Sequence, residues 1–139
     1  MIMDAKSTSS AKCADTASLS RRVMVVEDEP LIAFDLMAEI EAEGHEVIGH
    51  CRSASDAVDM AGRKRPDVVI MDIGLLGDSS GLEAARQIQD EYKIGCVFVS
   101  ATLDHVDPSQ WGNIKPLALI PKPYRDNALT QAIAKTQAA

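Results

Sequence analysis

Short continuous apolar runs punctuate the chain: Val23-Met24-Val25-Val26, Val68-Val69-Ile70-Met71, Cys96-Val97-Phe98-Val99 and Leu117-Ala118-Leu119-Ile120. Continuity in place of alternation is the pattern of strands covered by helices on both faces, so these runs are predicted as interior strands of a parallel sheet. Val47-Ile48, after Gly44 and before a polar turn, is a weaker run read as an edge strand. Between the runs the spacing becomes helical. Ile32, Leu36 and Ile40 share one face of a first helix, with Gly44 where a left-handed cap ends it. Ser53 and Asp56 form a candidate capping box for a second helix whose apolar face is Ala57, Val58 and Ala61. Leu82, Ala85 and Ile88 mark a third helix, and Leu129 and Ile133 a fifth. From Asp104 to Pro116 the helix formers around Val106 and Trp111 are interrupted by Pro and Gly, which predicts a short or distorted fourth helix. Residues 1–20 are rich in Ser, Ala and Thr without a large apolar cluster and read as a flexible tail, leaving 21–139 as the folded domain. Strands alternating with helices in this way predict an α/β fold with a doubly wound parallel sheet, whose functional groups gather at the carboxyl ends of the strands.

Composition narrows the function classes. A chain of 139 residues, 46% hydrophobic and 25% charged, can build one core without a metal or disulfide staple. Its net charge of -7 argues against nucleic-acid binding, which needs a basic face. Cys13, Cys51 and Cys96 contain no Cys-x-x-Cys pair and are read as small apolar filler in a reducing compartment. No apolar run exceeds four residues, and the start of the chain lacks the charged-then-apolar order of a secretory signal. The expectation is a cytoplasmic protein with no membrane partner.

The strand ends carry the chemistry. Glu27, Asp28 and Glu29 follow the first run and Asp72 follows the third. If those strands are neighbours, carboxylates converge, and their mutual repulsion calls for a hard divalent cation. All-oxygen ligation by few protein groups favours Mg²⁺, which keeps several waters and pairs with phosphoryl oxygens. Ser100 ends the fourth run and Lys122 follows the last, adding a hydroxyl and an ammonium that complement a phosphoryl group. Taken singly, a solvated acid, a turn serine and a surface lysine are the ordinary readings. Their agreement across four strand ends is not.

The ordered set Val25-Val26-Glu27-Asp28-Glu29-Pro30, Asp67-Val68-Val69-Ile70-Met71-Asp72, Val97-Phe98-Val99-Ser100-Ala101 and Lys122-Pro123-Tyr124 resembles the response-regulator receiver family. The likeness runs from about Arg22 to Gln137. It implies a flavodoxin-like sheet in the order 2-1-3-4-5. It also implies that Asp72 is the phosphoacceptor, that Glu27 and Asp28 hold Mg²⁺ with Asp72, and that the Gly74 backbone carbonyl completes the metal site. Ser100, with Ala101 beside it, matches the switch and phosphate-binding position, and Lys122 the phosphate-contacting lysine, followed by a cis bond to Pro123. Gly74 and Thr102 occupy positions that tune the lifetime of the phosphorylated state. Two departures stand out. Leu119 replaces the aromatic switch that often precedes the lysine, and the loop from Ile73 to Gly81 lacks the usual proline at Leu76 and is longer by about a residue than the common form. Both features are similar to receivers of alphaproteobacterial stress regulators and their single-domain relatives.

The resemblance implies a signalling protein, not an enzyme in its own right, that assists its own phosphorylation and dephosphorylation. A histidine kinase or histidine phosphotransfer protein would donate the phosphoryl group. A downstream protein target, and a homodimer through the face of the fourth helix, fifth strand and fifth helix, would read it out. As no second domain follows Ala139, output is expected through binding another protein or passing the phosphoryl group onward. The competing reading is an aspartyl-phosphate phosphatase on a related sheet, but its general acid, two residues after the nucleophile, is here Gly74. A nucleotide- or flavin-binding module would need a glycine-rich loop where Glu27-Asp28-Glu29-Pro30 stands. A purely structural module gives no reason for acids, hydroxyl and lysine to share one rim. Trp111 and Tyr124 are read as packing residues, Met24, Met37 and Met71 as core, and His45, His50 and His105 as lacking metal-ligand spacing.

Overall fold

The apolar runs pair side by side. In the computed structural model, which describes residues 20–73, 81–100, 108–121 and 128–136, strands β1 (Arg22–Val26), β2 (Glu46–Cys51), β3 (Val68–Asp72), β4 (Gly95–Ser100) and β5 (Ala118–Pro121) form one parallel sheet. Its order is β2-β1-β3-β4-β5, as the resemblance implied. Helices α1 (Pro30–Ala42), α2 (Ala54–Lys64), α3 (Gly81–Tyr92), α4 (Pro108–Trp111) and α5 (Ala128–Lys135) connect and cover the strands. Outside the described residues lie Gly74, Ala101, Thr102, Lys122, Pro123 and Tyr124, together with Cys13, His105 and all of the tail before Ser20.

Alternation along each strand divides the core between the two faces of the sheet. Val23, Val25, Ile70, Val97 and Val99 face α1 and α5, where they meet Leu36, Ile40, Leu129 and Ile133. Met24, Val26, Val69, Met71 and Phe98 face α2 and α3, where they meet Ala57, Ala61, Leu82, Ala85 and Ile88. Each fully buried aliphatic side chain contributes about 1.5–3 kcal/mol from leaving water, so the central strands dominate stability. Trp111 of the four-residue α4 packs edge-on against Phe98, with ring centroids 5.0 Å apart and planes at 81°. The short fourth helix and the packing role of Trp111 both follow the sequence reading.

Two helix ends were legible. Ser53 Oγ accepts the Asp56 backbone N–H at 3.3 Å and caps α2. Gly44, just past α1, has φ +95°, a conformation that a β-carbon disfavours.

Two expectations need correction. The run ending in Ile120 is not an interior strand: β5 is the second edge of the sheet, and Leu119 is 48% exposed. Unbroken hydrophobicity does not by itself report a neighbour on both sides. In α1, Ala33, Leu36 and Ile40 are buried, whereas Ile32 is 42% exposed, alongside Leu31 and Phe34. The inward stripe of α1 uses the smaller Ala33, which lets the helix approach the sheet closely.

The pairing of β2 with β1 contains an irregularity that matters for the site. Val23 pairs with Val47 but Met24 pairs with Gly49, so Ile48 is an extra residue. One added residue inverts the alternation beyond it. Cys51 therefore joins the Met24 and Val26 side of the core, and His50, partner of Val25, sits on the α1 side.

Candidate metal centre

Strand register builds the site. Val26 pairs with Met71 in adjacent parallel strands, so the next residues, Glu27 and Asp72, emerge side by side at the carboxyl edge of the sheet. Asp28 follows in the loop to α1. Pro30 opens that helix and restricts Glu29 to extended backbone (φ -90°, ψ 113°), which keeps the acidic segment out of the helix. The outcome is three carboxylates, Glu27, Asp28 and Asp72, with potential ligand atoms within 4.8 Å of one another.

The cluster is unequal in exposure. Glu27 is buried, at 2% exposure, while Asp28 and Asp72 are partly open to solvent. Glu27 is held through its main chain as well as its side chain. Its N–H donates to the Cys51 carbonyl at 3.0 Å, its carbonyl accepts from His50 Nε2 at 2.9 Å, and its Oε2 accepts the Glu29 N–H at 3.2 Å. Asp72 is fixed from the other side. Gly81 donates its N–H to the Ile73 carbonyl at 3.0 Å, returning the chain to the strand end at the start of α3.

Three like charges this close repel one another, and a hard cation with oxygen ligands offsets that repulsion. The donor set is all carboxylate, with one buried and two accessible members, which suits Mg²⁺ retaining part of its water shell. The described cysteines offer no softer site. Burial, with Asp56 nearby, pushes the Cys51 thiol up to about 11, and burial alone pushes Cys96 up to about 12, so both stay protonated at neutral pH.

The remaining sequence-predicted residues divide cleanly. Asp72 pairs with Val99 and Ser100 pairs with Pro121, so the backbone of Ser100 lies one residue beyond the partner of Asp72, on the same edge. Lys122 follows Pro121 in the chain but is outside the described residues, as are Ala101, Thr102, Pro123 and Gly74. Sequence reasoning missed two participants. Gly81 had a signal, a glycine directly before the apolar face of a helix. His50 had none, because its position depends on the extra residue in β2.

A sequence model of the response regulator receiver domain matches residues 23–134. The chain belongs to this family. Among individual relatives, this receiver is 33% identical over 120 residues to the phyllosphere-induced regulator PhyR of Methylorubrum extorquens, covering 86% of this chain and 44% of that protein. It is 31% identical over 117 residues to the transcriptional regulatory protein PdtaR of Mycobacterium tuberculosis, covering 84% and 57%. The receiver thus spans about half the length of the curated relatives it matches. Among solved structures, the response regulator PhyR from Brucella abortus superposes with a TM-score of 0.75 at 29% identity, over 93% of this chain and 52% of that one. The receiver domain of Erythrobacter litoralis PhyR gives 0.72 at 25% identity, over 86% and 95%. The resemblance to alphaproteobacterial stress regulators is borne out by the PhyR matches.

Proposed function

We propose that this receiver accepts a phosphoryl group on Asp72 from a phosphohistidine of a histidine kinase or phosphotransfer protein, and that phosphorylation changes its affinity for a protein partner. The convergence of Glu27, Asp28 and Asp72 at the ends of two central strands carries the reading. On it, an Asp72 carboxylate oxygen attacks phosphorus, the P–N bond breaks, and the imidazole leaves with its electron pair. Glu27, Asp28 and Asp72 would hold Mg²⁺, with the Gly74 carbonyl as the family's further ligand. When bound, Mg²⁺ supplies the positive charge that offsets the repulsion among the three carboxylates and balances charge on the transferring group. Ser100, Ala101 and Lys122 would contact the phosphoryl oxygens, and Gly74 and Thr102 would set how long the acyl phosphate lasts.

Output would come through surfaces, as expected of a signalling protein that contributes to its own phosphorylation and dephosphorylation. The β5 edge supports this, since Leu117, just before the strand, and Leu119 within it are each about half exposed and offer apolar area to a partner or a second copy. PhyR from Bartonella quintana, 30% identical over 91% of this chain, is described as an anti-anti-sigma factor, which favours protein binding as the output here. No helix among the described residues is long and apolar enough to cross a membrane, and the proposed setting is the cytoplasm.

Incubation with acetyl phosphate, with and without Mg²⁺, tests the proposal by intact mass. One Mg²⁺-dependent phosphoryl adduct on the wild type and none on Asp72→Asn is the expected result. An unmodified wild type, or an equally labelled variant, overturns it.

A further inference from the structure

We propose that His50 is a positioning residue for the metal centre: its ring holds the Glu27 main chain and thereby sets the aim of the Glu27 carboxylate. The inference rests on the metal reading above and adds a residue to it. A carbonyl oxygen has no hydrogen to give, so in the 2.9 Å contact His50 donates from Nε2–H to Glu27. The adjacent residue of the same strand, Cys51, accepts the Glu27 N–H at 3.0 Å. Consecutive residues of β2 thus hold both main-chain polar groups of Glu27. Little freedom remains except in its buried side chain, whose Oε2 already takes the Glu29 N–H.

The placement of His50 follows from the sheet. Without the extra residue at Ile48, position 50 would face the α2 side of the sheet and position 51 the α1 side. The irregularity brings an imidazole onto the α1 side, next to the loop that carries the acidic pair. This is the support that metal sites commonly require, in which a neighbouring hydrogen bond fixes a ligand's orientation before the ion arrives.

The test follows Mg²⁺ titrations by amide NMR without any phosphodonor, in the wild type, Asp28→Asn, His50→Phe and His50→Gln, with thermal melts to confirm folding. Phe keeps the ring's bulk but not the donor, whereas the Gln amide reaches about as far as Nε2. His50→Phe is expected to weaken Mg²⁺ binding about 10-fold and His50→Gln to restore it to within about twofold of wild type. Wild-type affinity in His50→Phe, or equal weakening in His50→Gln, overturns the proposal. A wild type that binds no Mg²⁺ overturns instead the metal reading beneath it. Should His50→Phe not fold, the ring of the wild type still decides: long-range nitrogen–proton correlations must show the Nε2–H tautomer, and Nδ1–H overturns the assignment.

Discussion

Gly81 lies so close to Asp72 that a β-carbon on it would come within 2.4 Å of the Asp72 carbonyl oxygen and 2.9 Å of the Ile73 Cα. Both neighbours are backbone, so neither can swing aside. Gly81→Ala must displace either the start of α3 or the strand end that carries the candidate phosphoacceptor. The expected cost is about 1–3 kcal/mol of stability from overpacking. Labelling of Asp72 by acetyl phosphate should slow by roughly 10- to 100-fold, since misplacing a reacting group by about an ångström has that effect. Denaturant unfolding and a mass time course measure the two effects, and wild-type behaviour in both would show that the chain relaxes around the methyl group.

A second pair, at the opposite end of the sheet, gives a pH prediction. The Arg21 backbone N–H donates to His45 Nδ1 at 3.0 Å, and the Arg21 guanidinium Nε donates to the Thr136 carbonyl just after α5. Burial, and then the charge of Arg21, lower the His45 pKa below its ordinary 6.5, with Glu43 opposing. The folded state therefore resists a proton that the unfolded chain takes up. Stability from this group is complete above about 6.5 and is lost as pH falls through that value towards the lower folded pKa. Unfolding midpoints measured across this window should fall for the wild type, and fall less steeply for His45→Gln. Parallel profiles would remove His45 from the acid response.

The α1 helix supplies a contrast between apolar residues that differ only in facing. Leu31 is 80% exposed and Phe34 67%, whereas Ile40 is fully buried. Leu31→Ser and Phe34→Ser should each change stability by less than about 0.5 kcal/mol. Ile40→Ala should cost about 2–5 kcal/mol through lost burial and the cavity left behind. Large losses at Leu31 or Phe34 in urea unfolding would contradict the orientation of the helix.

These cases show what the amino-acid pattern can carry. Strand runs, the Ser53 cap, the Gly44 stop and the short α4 were legible because each depends on neighbours in the chain. The acidic cluster was legible because parallel strands of similar length end at one edge, and Glu27 and Asp72 each stand one residue past an apolar run. Facing and adjacency were harder. Ile32, Leu36 and Ile40 fit a helical stripe as well as Ala33, Leu36 and Ile40 do, and only the approach of α1 to the sheet selects the second. The edge position of β5 is set by chain topology, not by local hydrophobicity. His50 was invisible because a single extra residue in β2 decides which face it takes.

Among the three clustered acids, Asp72 is the proposed carrier of the phosphoryl group. Borohydride reduces an acyl phosphate to an alcohol, so reduction after Mg²⁺ and acetyl phosphate treatment marks the acceptor for tandem mass spectrometry. Homoserine is expected at position 72, and none without Mg²⁺. Reduction found instead at Glu27 or Asp28, or at no carboxylate, would contradict it.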